Sequence, residues 1–340
     1  MFGRKKHKMR NYSVIISLIL LFYSCNSNQE VGFELHGQTQ GTTYTIIVAE
    51  DKLNFDQSEV TTLLADFDTI LSTYIPESKI SQLNESTNGY TFEDKHQFFK
   101  TCYELSLSVY NNTTGLFDPS VYNLINAWGF YKKIESFPEQ QVIDSVLQFT
   151  SFEPGKFYSV QFNENSVHFQ KNDSRFKLDF NAIAQGYSVD VLADFIEKRG
   201  HQNYYIEIGG EIRLKGKNRS GKKWQIGIDV PDELEEREAI STLSISDCGI
   251  ATSGNYRNYQ ERNGKIYGHI VSPKTGYPIE TAVLSATVIH KNAALADAYA
   301  TVLLLLDQQE AIKYMQKNKL QGILIYLDLN KNYKIYQQFN

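Results

Sequence analysis

Apolar residues recur at three- and four-residue intervals in four parts of the chain, which is the spacing of one face of a helix. The clearest run follows Asp56-Gln-Ser-Glu59, a capping box, and predicts a helix over residues 57–71. A second run begins at Phe98 and is expected to end before Asn111. The third predicted helix runs from about residue 184 to 200, and the fourth, apolar on nearly every face, covers 293–306.

The segments between these helices are rich in β-branched and aromatic residues and are separated by turn-forming residues, which is typical of antiparallel hairpins. The predicted strands cover residues 42–48, 156–162, 166–171, 175–180, 203–215, 223–229, 265–271, 283–290, 321–327 and 332–338. Helices with antiparallel strands predict an α+β layered fold, in which mixed, mainly antiparallel sheets are packed by helices. No repeat or Pro/Gly-rich linker interrupts residues 33–340, so we expect a single domain there.

The first 24 residues have the pattern of an export signal. Five lysines and arginines precede an apolar run over residues 14–23 that is too short to cross a bilayer of about 30 Å as a helix. Cys25 follows a small residue and resembles the lipidated cysteine of bacterial lipoproteins, with residues 25–32 as a tether. The alternative is a plain secretory signal with an incidental cysteine. The first interpretation predicts a protein that is lipid-anchored in the bacterial cell envelope, on the periplasmic face of the inner or outer membrane.

Composition excludes several classes of protein. Of the 340 residues, 41% are hydrophobic and 13% aromatic, which is too much core material for a disordered chain, and three cysteines cannot form a disulfide framework. Without the export signal the formal charge falls from −5 to −10, which repels nucleic acid, so no nucleic-acid partner is expected. Cys102 and Cys248 have apolar or small neighbours and are expected to be buried, free thiols.

Four segments carry polar or glycine residues where a regular element would have others. In 178–190 a strand is expected to end at Asp179, and free amides at the start of the next helix suit a diphosphate; Asp179 or Asn181 acting as a helix cap is equally expected. The double glycine in 206–213 forms either a tight hairpin or a surface for a close ligand. Hydroxyls and turn signals in 251–257 and 267–278 surround His269, which is either catalytic or a core histidine.

The fourth predicted helix contains a carboxylate. Asp297 and Thr301 stand one turn apart, so both oxygens point from one face of an otherwise apolar helix. Burying a carboxylate is costly unless a cation meets it, and this cation is either a lysine or arginine or a metal ion. With a hydroxyl beside it, a hard divalent ion such as Mg²⁺ is favoured. The alternative is a helix cap or a buried salt bridge.

In this order and at these separations, the segments resemble the ApbE family, whose members are FAD:protein FMN transferases. The resemblance spans residues 37–306. It rests on Gly41-Thr-Thr-Tyr44, residues 72–84, Thr114-Gly-Leu-Phe-Asp-Pro-Ser-Val121, Trp128-Gly-Phe130, residues 179–190, Ile208-Gly-Gly210, Thr252-Ser-Gly254, His269-Ile270, Pro273, Thr275-Gly276, Ala296-Asp297 and Thr301. It implies an ApbE-like, T-fold-like architecture.

The resemblance implies a periplasmic enzyme that uses Mg²⁺, cleaves FAD, attaches FMN by a phosphoester to a threonine or serine of a target protein and releases AMP. A metal-dependent FAD pyrophosphatase and a non-catalytic flavin-binding lipoprotein are the alternatives. The target would be a membrane redox complex or an FMN-binding domain. By the same resemblance, the flavin-contacting positions are Gln40, Tyr74, Leu116, Phe117, Asp118, Asp179, Gln185 and Ile270, and the metal positions are Ala182 through its carbonyl, Asp297, Ala300 and Thr301.

The resemblance also suggests an acid–base role for His269, which is the preferred base for the acceptor hydroxyl, with Asp179 as the second choice. The aromatic residues Tyr74, Phe117 and Tyr187 either stack on the isoalloxazine ring or belong to the core.

The chain departs from the family pattern at three positions. Gln40 stands where the family usually has Met, Gln185 where Lys or Glu is common, and Ser272 where an Asp normally precedes the proline of the turn. The first two bear on flavin affinity, and the third removes a carboxylate near His269. The metal positions are intact, so the resemblance still implies activity.

Overall fold

The structure, a computed structural model, describes residues 32–132, 134, 136–228, 241–254, 259–262 and 265–339. The predicted export signal, the lipidation site Cys25 and the tether up to residue 31 lie outside this range, as do residues 255–257. The described residues belong to one compact unit, Val31–Asn340. Within them, no helix combines the length and the apolar character needed to cross a membrane.

The four predicted helices are present in the described residues, together with four that the apolar spacing did not predict. Their bounds in the described residues are α1 (Gln57–Leu71), α2 (Lys79–Glu85), α3 (Phe98–Asn112), α4 (Tyr122–Ala127), α5 (Gln140–Leu147), α6 (Asn181–Lys198), α7 (Ala293–Leu304) and α8 (Gln308–Asn318), with a short 3₁₀ turn at Pro119–Val121. α1 begins behind the capping box that Asp56 and Glu59 form, as predicted. α6 begins about three residues earlier than predicted, with Phe180 as its N-cap. The Asp179 carboxylate, one residue before that cap, accepts a hydrogen bond from the Asn181 amide.

All paired strands in the described residues are antiparallel, which confirms the predicted α+β class. The strands are β1 (Phe33–Thr39), β2 (Thr42–Val48), β3 (Gly89–Glu93), β4 (Tyr158–Phe162), β5 (Ser166–Lys171), β6 (Tyr204–Ile208), β7 (Glu211–Lys215), β8 (Trp224–Ile228), β9 (Ser241–Ile245), β10 (Cys248–Gly254), β11 (Tyr259–Arg262), β12 (Lys265–Gly268), β13 (Val283–His290), β14 (Gln321–Leu327) and β15 (Tyr333–Gln338). The largest sheet has the order β1-β2-β6-β7-β10-β13-β14-β15. Smaller sheets are β3-β5-β4, β8-β9 and β11-β12.

The predicted strand over residues 175–180 is wrong, since residues 176–180 have no regular secondary structure. In place of a neighbouring strand, the Asn84 side chain pairs with the backbone of Leu178. Its Nδ2 donates to the Leu178 carbonyl and its Oδ1 accepts from the Leu178 amide, both at 2.8 Å. One side chain, only 3% exposed, thus satisfies the groups that a strand partner would take, and it fixes the chain directly before Asp179.

α7 lies between α6 and strands β10 and β13. Glycines allow both approaches: a Cβ on Gly186 would lie 2.5 Å from the Ala293 carbonyl oxygen, and a Cβ on Gly249 would lie 2.5 Å from the Ala293 Cα. The Asp190 carboxylate of α6 accepts hydrogen bonds from the amides of Ala293 and Ala294, at 3.0 and 2.9 Å. The N-terminus of α7 is therefore fixed by α6 and β10 together.

Both cysteines of the described residues are buried and free, as predicted. Cys102 lies in the apolar core formed around α3, and Cys248 lies in the cluster between the large sheet and the β8–β9 hairpin. Burial raises the pKa of both thiols, that of Cys248 to about 11, so neither forms a thiolate readily at neutral pH. Cys102 and Cys248 therefore act as packing residues of the apolar core.

We expect Asn84→Ala to lower the free energy of unfolding by about 2–4 kcal/mol, because it leaves a buried amide and a buried carbonyl of Leu178 without partners. Urea unfolding followed by circular dichroism measures the change. Asn318→Ala is the matched control, because Asn318 also donates to a backbone carbonyl, that of Tyr314, but at an exposed site. It should cost less than about 0.5 kcal/mol. Equal losses in the two variants would contradict the role given to Asn84.

Candidate active site

A cavity of about 670 Å³ opens where α6, α7, the loop after α3 and the segment from His269 to Pro273 meet. A volume of this size suits a small-molecule ligand or cofactor. The predicted site residues that line it are Tyr74, Leu116, Phe117, Asp118, Asp179, Ala182, Gln185, His269, Ile270, Asp297 and Thr301. The tertiary structure therefore brings residues from most of the chain's length to one place.

Two predicted site residues, Gln40 and Ala300, are not in the cavity lining. Gln40 lies in the two-residue turn between β1 and β2, where it and Gly41 both have positive φ, and its Oε1 accepts from the Ser188 hydroxyl at 3.3 Å. Ala300 is fully buried in the apolar cluster between α7 and the large sheet. Their predicted roles toward flavin and metal stay predictions.

Asp297 is the most unusual charged group in the cavity wall. It is only 6% exposed, and its Oδ2 accepts a hydrogen bond from the Gly186 amide of α6 at 3.0 Å. Among the described residues no lysine or arginine lies within ion-pair distance of it, and Asn292, not Asp297, caps α7. Within the described residues, Asp297 therefore neither caps the helix nor forms a salt bridge, which were the two alternatives to a metal ion. Burial raises the pKa of Asp297 to about 7.

The oxygen atoms around Asp297 suit a hard divalent cation. Thr301, one turn further along α7, lines the same cavity, and its hydroxyl lies 3.2 Å from that of Ser253. Ala182 lines the cavity from α6, one helical turn before Gly186, whose amide donates to Asp297. The described residues hold no cluster of three or more His, Cys, Asp and Glu side chains. One carboxylate with neutral oxygens matches Mg²⁺, which keeps waters and substrate phosphates as its other ligands.

Asp179 lies in the cavity wall, and two donors already hold its carboxylate. Oδ1 accepts from the Asn181 amide at 2.7 Å, and Oδ2 accepts from the Tyr131 hydroxyl. Burial raises the pKa of Asp179, and the hydrogen bond from Tyr131 opposes this shift. The N-cap of α6 is Phe180, and no side chain makes a cap hydrogen bond there, so the prediction that Asp179 or Asn181 caps this helix is wrong. Asp179 stands one residue before the cap and accepts from the Asn181 amide.

The start of α6 has fewer free amides than the sequence suggests. The Asn181 amide is bonded to Asp179, and the Ile183 amide donates to the Phe180 carbonyl at 3.0 Å. Because these donors are used within the protein, the helix N-terminus offers less to a diphosphate than a bare helix end does. The predicted role of this helix end toward a diphosphate stays a prediction.

His269 is half-buried in the cavity wall, at the start of a tight turn. In that turn the Ser272 hydroxyl accepts from the amides of Lys274 and Thr275, at 3.3 and 3.4 Å, and the Gly276 amide donates to the Ser272 carbonyl at 2.8 Å. A serine oxygen thus supports the turn in the way that an aspartate side chain would. The turn beside His269 therefore keeps its hydrogen bonds although serine replaces the usual aspartate at position 272.

Aromatic rings line another part of the cavity. Tyr74 is 73% exposed at the rim, and its ring meets that of Tyr131 edge-on, with 5.8 Å between centroids. Phe117 lines the cavity but is largely buried. Tyr187 is absent from the lining and packs on Phe67 in the core, at 5.5 Å. Of the three candidate stacking rings, Tyr187 belongs to the core and Tyr74 is the accessible one.

Five further polar residues line the cavity without a ligand role from the sequence: Tyr131, Asn181, Glu211, Thr252 and Ser253. Asn181 and Ser253 lie in segments that the sequence singles out. Glu211 follows the double glycine, which forms the β6–β7 hairpin, so the hairpin interpretation is confirmed. Gly209 lines the cavity, and the close approach of a ligand there stays a prediction. Tyr131 carries no signal of its own, because its partner Asp179 is 48 positions away.

Comparison with known proteins decides the classification. The family model described as the ApbE family matches residues 40–325. The chain belongs to the ApbE family. The FAD:protein FMN transferase of Vibrio cholerae is 33% identical over 323 residues, which are 93% of this chain and 94% of the relative. The protein of the same name from Haemophilus influenzae is 34% identical over 319 residues, which are 92% of this chain and 91% of the relative.

Solved ApbE structures share the fold. The flavin transferase ApbE from Vibrio cholerae superposes with a TM-score of 0.78 at 31% identity, covering 90% of this chain and 97% of that one. The flavinyl transferase ApbE of Pseudomonas stutzeri, in its apo form, gives 0.79 at 26% identity, covering 90% and 94%. The predicted ApbE-like α+β fold is confirmed. The relatives are transferases by name, so the predicted enzyme class is confirmed at the level of the ApbE family.

The buried Asp297 makes the stability of the metal-free protein depend on pH. Its pKa is 3.8 in ordinary surroundings and about 7 in the fold, so the folded state holds more protons between these values. The contribution of Asp297 to stability is therefore full below about pH 4 and is lost as pH rises through 7, at up to about 1.4 kcal/mol per pH unit.

We expect urea unfolding in the presence of a chelator to show this loss of stability with rising pH in the wild type. In Asp297→Asn the free energy of unfolding should vary less with pH. Asp194→Asn, on the exposed face of α6, is the control and should keep the wild-type profile. A difference between wild type and Asp297→Asn that does not vary with pH would contradict the assignment.

Proposed function

We propose that this ApbE-family chain is a Mg²⁺-dependent FAD:protein FMN transferase. The supporting observation is that one cavity joins an aromatic rim to a buried oxygen cluster at Asp297 and Thr301. A flavin ring suits the first part and a diphosphate with a cation suits the second. The names of the curated relatives supply the reaction.

The proposed reaction transfers a phosphoryl group without a redox step. The hydroxyl oxygen of an acceptor threonine or serine forms a bond to the FMN phosphorus, while the bond from this phosphorus to the bridging oxygen breaks. AMP leaves with the bridging oxygen, and the hydroxyl proton passes to a base. We assign this base role to His269, because Asp179 already accepts hydrogen bonds at both oxygens and serves better as a fixed acceptor.

The oxygen atoms of Asp297 and Thr301 and the carbonyl of Ala182 would hold Mg²⁺, with Ala300 retained as a fourth position by family resemblance. When bound, Mg²⁺ neutralises charge on the diphosphate as the bridging bond breaks. The body of the protein, with a formal charge of −10 outside the export signal, offers little other positive charge to an anionic substrate.

The test is to incubate the full chain, purified in detergent, with FAD, MgCl₂ and an FMN-binding acceptor domain. We expect a fluorescent flavin band on a denaturing gel and one AMP released for each FMN attached, both abolished by EDTA. AMP release without a band would replace the proposal by an FAD pyrophosphatase. FAD binding without AMP release would leave a flavin-binding lipoprotein.

His269→Asn should slow FMN attachment by about 10²–10⁴-fold while FAD still binds, because the acceptor hydroxyl loses its base. The matched control is His96→Asn, at an exposed histidine paired with Asp66 on the surface. Attachment at the wild-type rate in His269→Asn would remove that residue as the base.

We also propose that Cys25 is lipidated and holds the protein at the periplasmic face of the cell envelope. The proposal rests on the sequence of the first 25 residues. Because the acidic body repels anionic lipid, membrane retention would depend on the anchor. Cys25→Ser should move the protein from the membrane fraction to the soluble fraction after cell lysis, as measured by immunoblot. Unchanged retention would favour a different attachment.

A further inference from the structure

Tyr131 belongs to a polar network in the cavity wall. Its hydroxyl donates to Asp179 Oδ2. A hydroxyl has one hydrogen, so the Tyr131 oxygen can only accept from its other neighbours. These are the Asn181 Nδ2, at 3.1 Å, and the Thr73 hydroxyl, at 3.4 Å. The direction of each of these hydrogen bonds is therefore determined.

The network holds the Asp179 carboxylate from two sides. Its Oδ1 accepts from the backbone amide of Asn181, at the start of α6, and its Oδ2 accepts from Tyr131, in the loop after α4. With both oxygens bonded, the carboxylate cannot rotate freely. Each oxygen retains a second acceptor site, and Asp179 lines the cavity. A donor on a ligand would thus find an acceptor that is already oriented.

The position of the Tyr131 ring does not depend on Asp179. The preceding α4 ends in a Schellman motif: Gly129 has φ +81°, and the Phe130 amide donates to the Ile125 carbonyl at 3.2 Å. The Tyr131 ring then stacks on Tyr122, with 4.8 Å between centroids. Because turn and stacking fix the ring, the hydroxyl is a rigid donor to the carboxylate.

The same helix relates this network to the oxygen cluster. Asn181 begins α6, and Gly186, five residues on, donates to Asp297. Five residues of α-helix span about 7.5 Å along the axis. A ligand whose diphosphate lies at Asp297 would place its neighbouring group beside Asp179, next to the rings of Tyr74 and Tyr131.

We propose that Tyr131 is a positioning residue for the flavin half of FAD: it orients the Asp179 carboxylate to accept a hydrogen bond from a flavin N–H or a ribityl hydroxyl. The inference rests on the proposed function, because that function makes FAD the ligand. It assigns to Tyr131 an effect on FAD affinity and none on the transfer step itself.

The test compares Tyr131→Phe with Tyr122→Phe in the full chain in detergent. Both changes remove one hydroxyl and keep the stacked rings, but only the first removes a donor to Asp179. The Kd for FAD, measured by flavin fluorescence, should rise about tenfold in Tyr131→Phe and stay within twofold of wild type in Tyr122→Phe. In Tyr131→Phe the Kd for riboflavin should rise by the same factor as the Kd for FAD, whereas the Kd for ADP should not change. KM for FAD should rise about tenfold and kcat change less than threefold.

A second variant, Asp179→Asn, removes the charge and keeps the shape. If Tyr131 acts through Asp179, the double variant that combines Tyr131→Phe with Asp179→Asn should bind FAD no more weakly than Asp179→Asn alone. This comparison also decides the matter should Tyr131→Phe lower Tm.

Equal Kd values for wild type and Tyr131→Phe would overturn the inference, as would weakened ADP binding, which indicates a general structural role. FAD binding with the expected Tyr131→Phe effect but without FMN transfer would overturn the proposed function alone. Failure of the wild type to bind FAD would overturn both.

Discussion

The close packing of α7 between α6 and β10 is the constraint on which the cavity depends. Gly186 and Gly249 carry no side chain at the two points where Ala293 approaches, and a Cβ at either would collide with backbone. Asp190 adds hydrogen bonds to the first amides of α7. Since interiors pack as densely as crystals, this arrangement leaves α7 little freedom to shift. Asp297, just over one turn inside the helix, is therefore presented at a fixed place.

The electrostatics of the cavity follow from that placement. The carboxylate of Asp297 has a backbone amide as a partner and, among the described residues, no lysine or arginine. Its own helix cannot neutralise it, because α7 contains no lysine or arginine. A buried carboxylate of this kind is unstable alone and favourable with a cation. In an acidic protein with an anionic ligand, one cation would neutralise charge on the Asp297 carboxylate and on the ligand.

Asp179 is held by interactions of a different kind. Asn84 takes the backbone of the preceding residue, Leu178, while Tyr131 and the start of α6 take its carboxylate. Two side chains distant in the chain, together with the adjacent start of α6, thus converge on two consecutive residues. Irregular backbone is rigid here because side chains satisfy the groups that a sheet would otherwise satisfy. In this chain the wall of the cavity at Asp179 is built from loops, with α6 and α7 as the fixed frame.

The sequence alone determined the features that depend on neighbours a few positions away. The capping box at Asp56 begins α1, the double glycine gives the β6–β7 hairpin, and the spacing of Asp297 and Thr301 places both oxygens on one face. The ordered motifs also sufficed to predict the ApbE family.

Only the tertiary structure decided which distant groups meet. Leu178 finds its partner 94 positions away, in Asn84, so a segment with strand-like composition is not a strand. Asp297 accepts a hydrogen bond from an amide 111 positions away, a partner that neither the helix-cap nor the salt-bridge interpretation predicts. Tyr131 carries no signal in the sequence, and its hydrogen bond to Asp179, 48 positions away, exists only in the folded chain. Local periodicity reports the burial of a face, whereas the partner of a buried polar group depends on which elements the packing brings together.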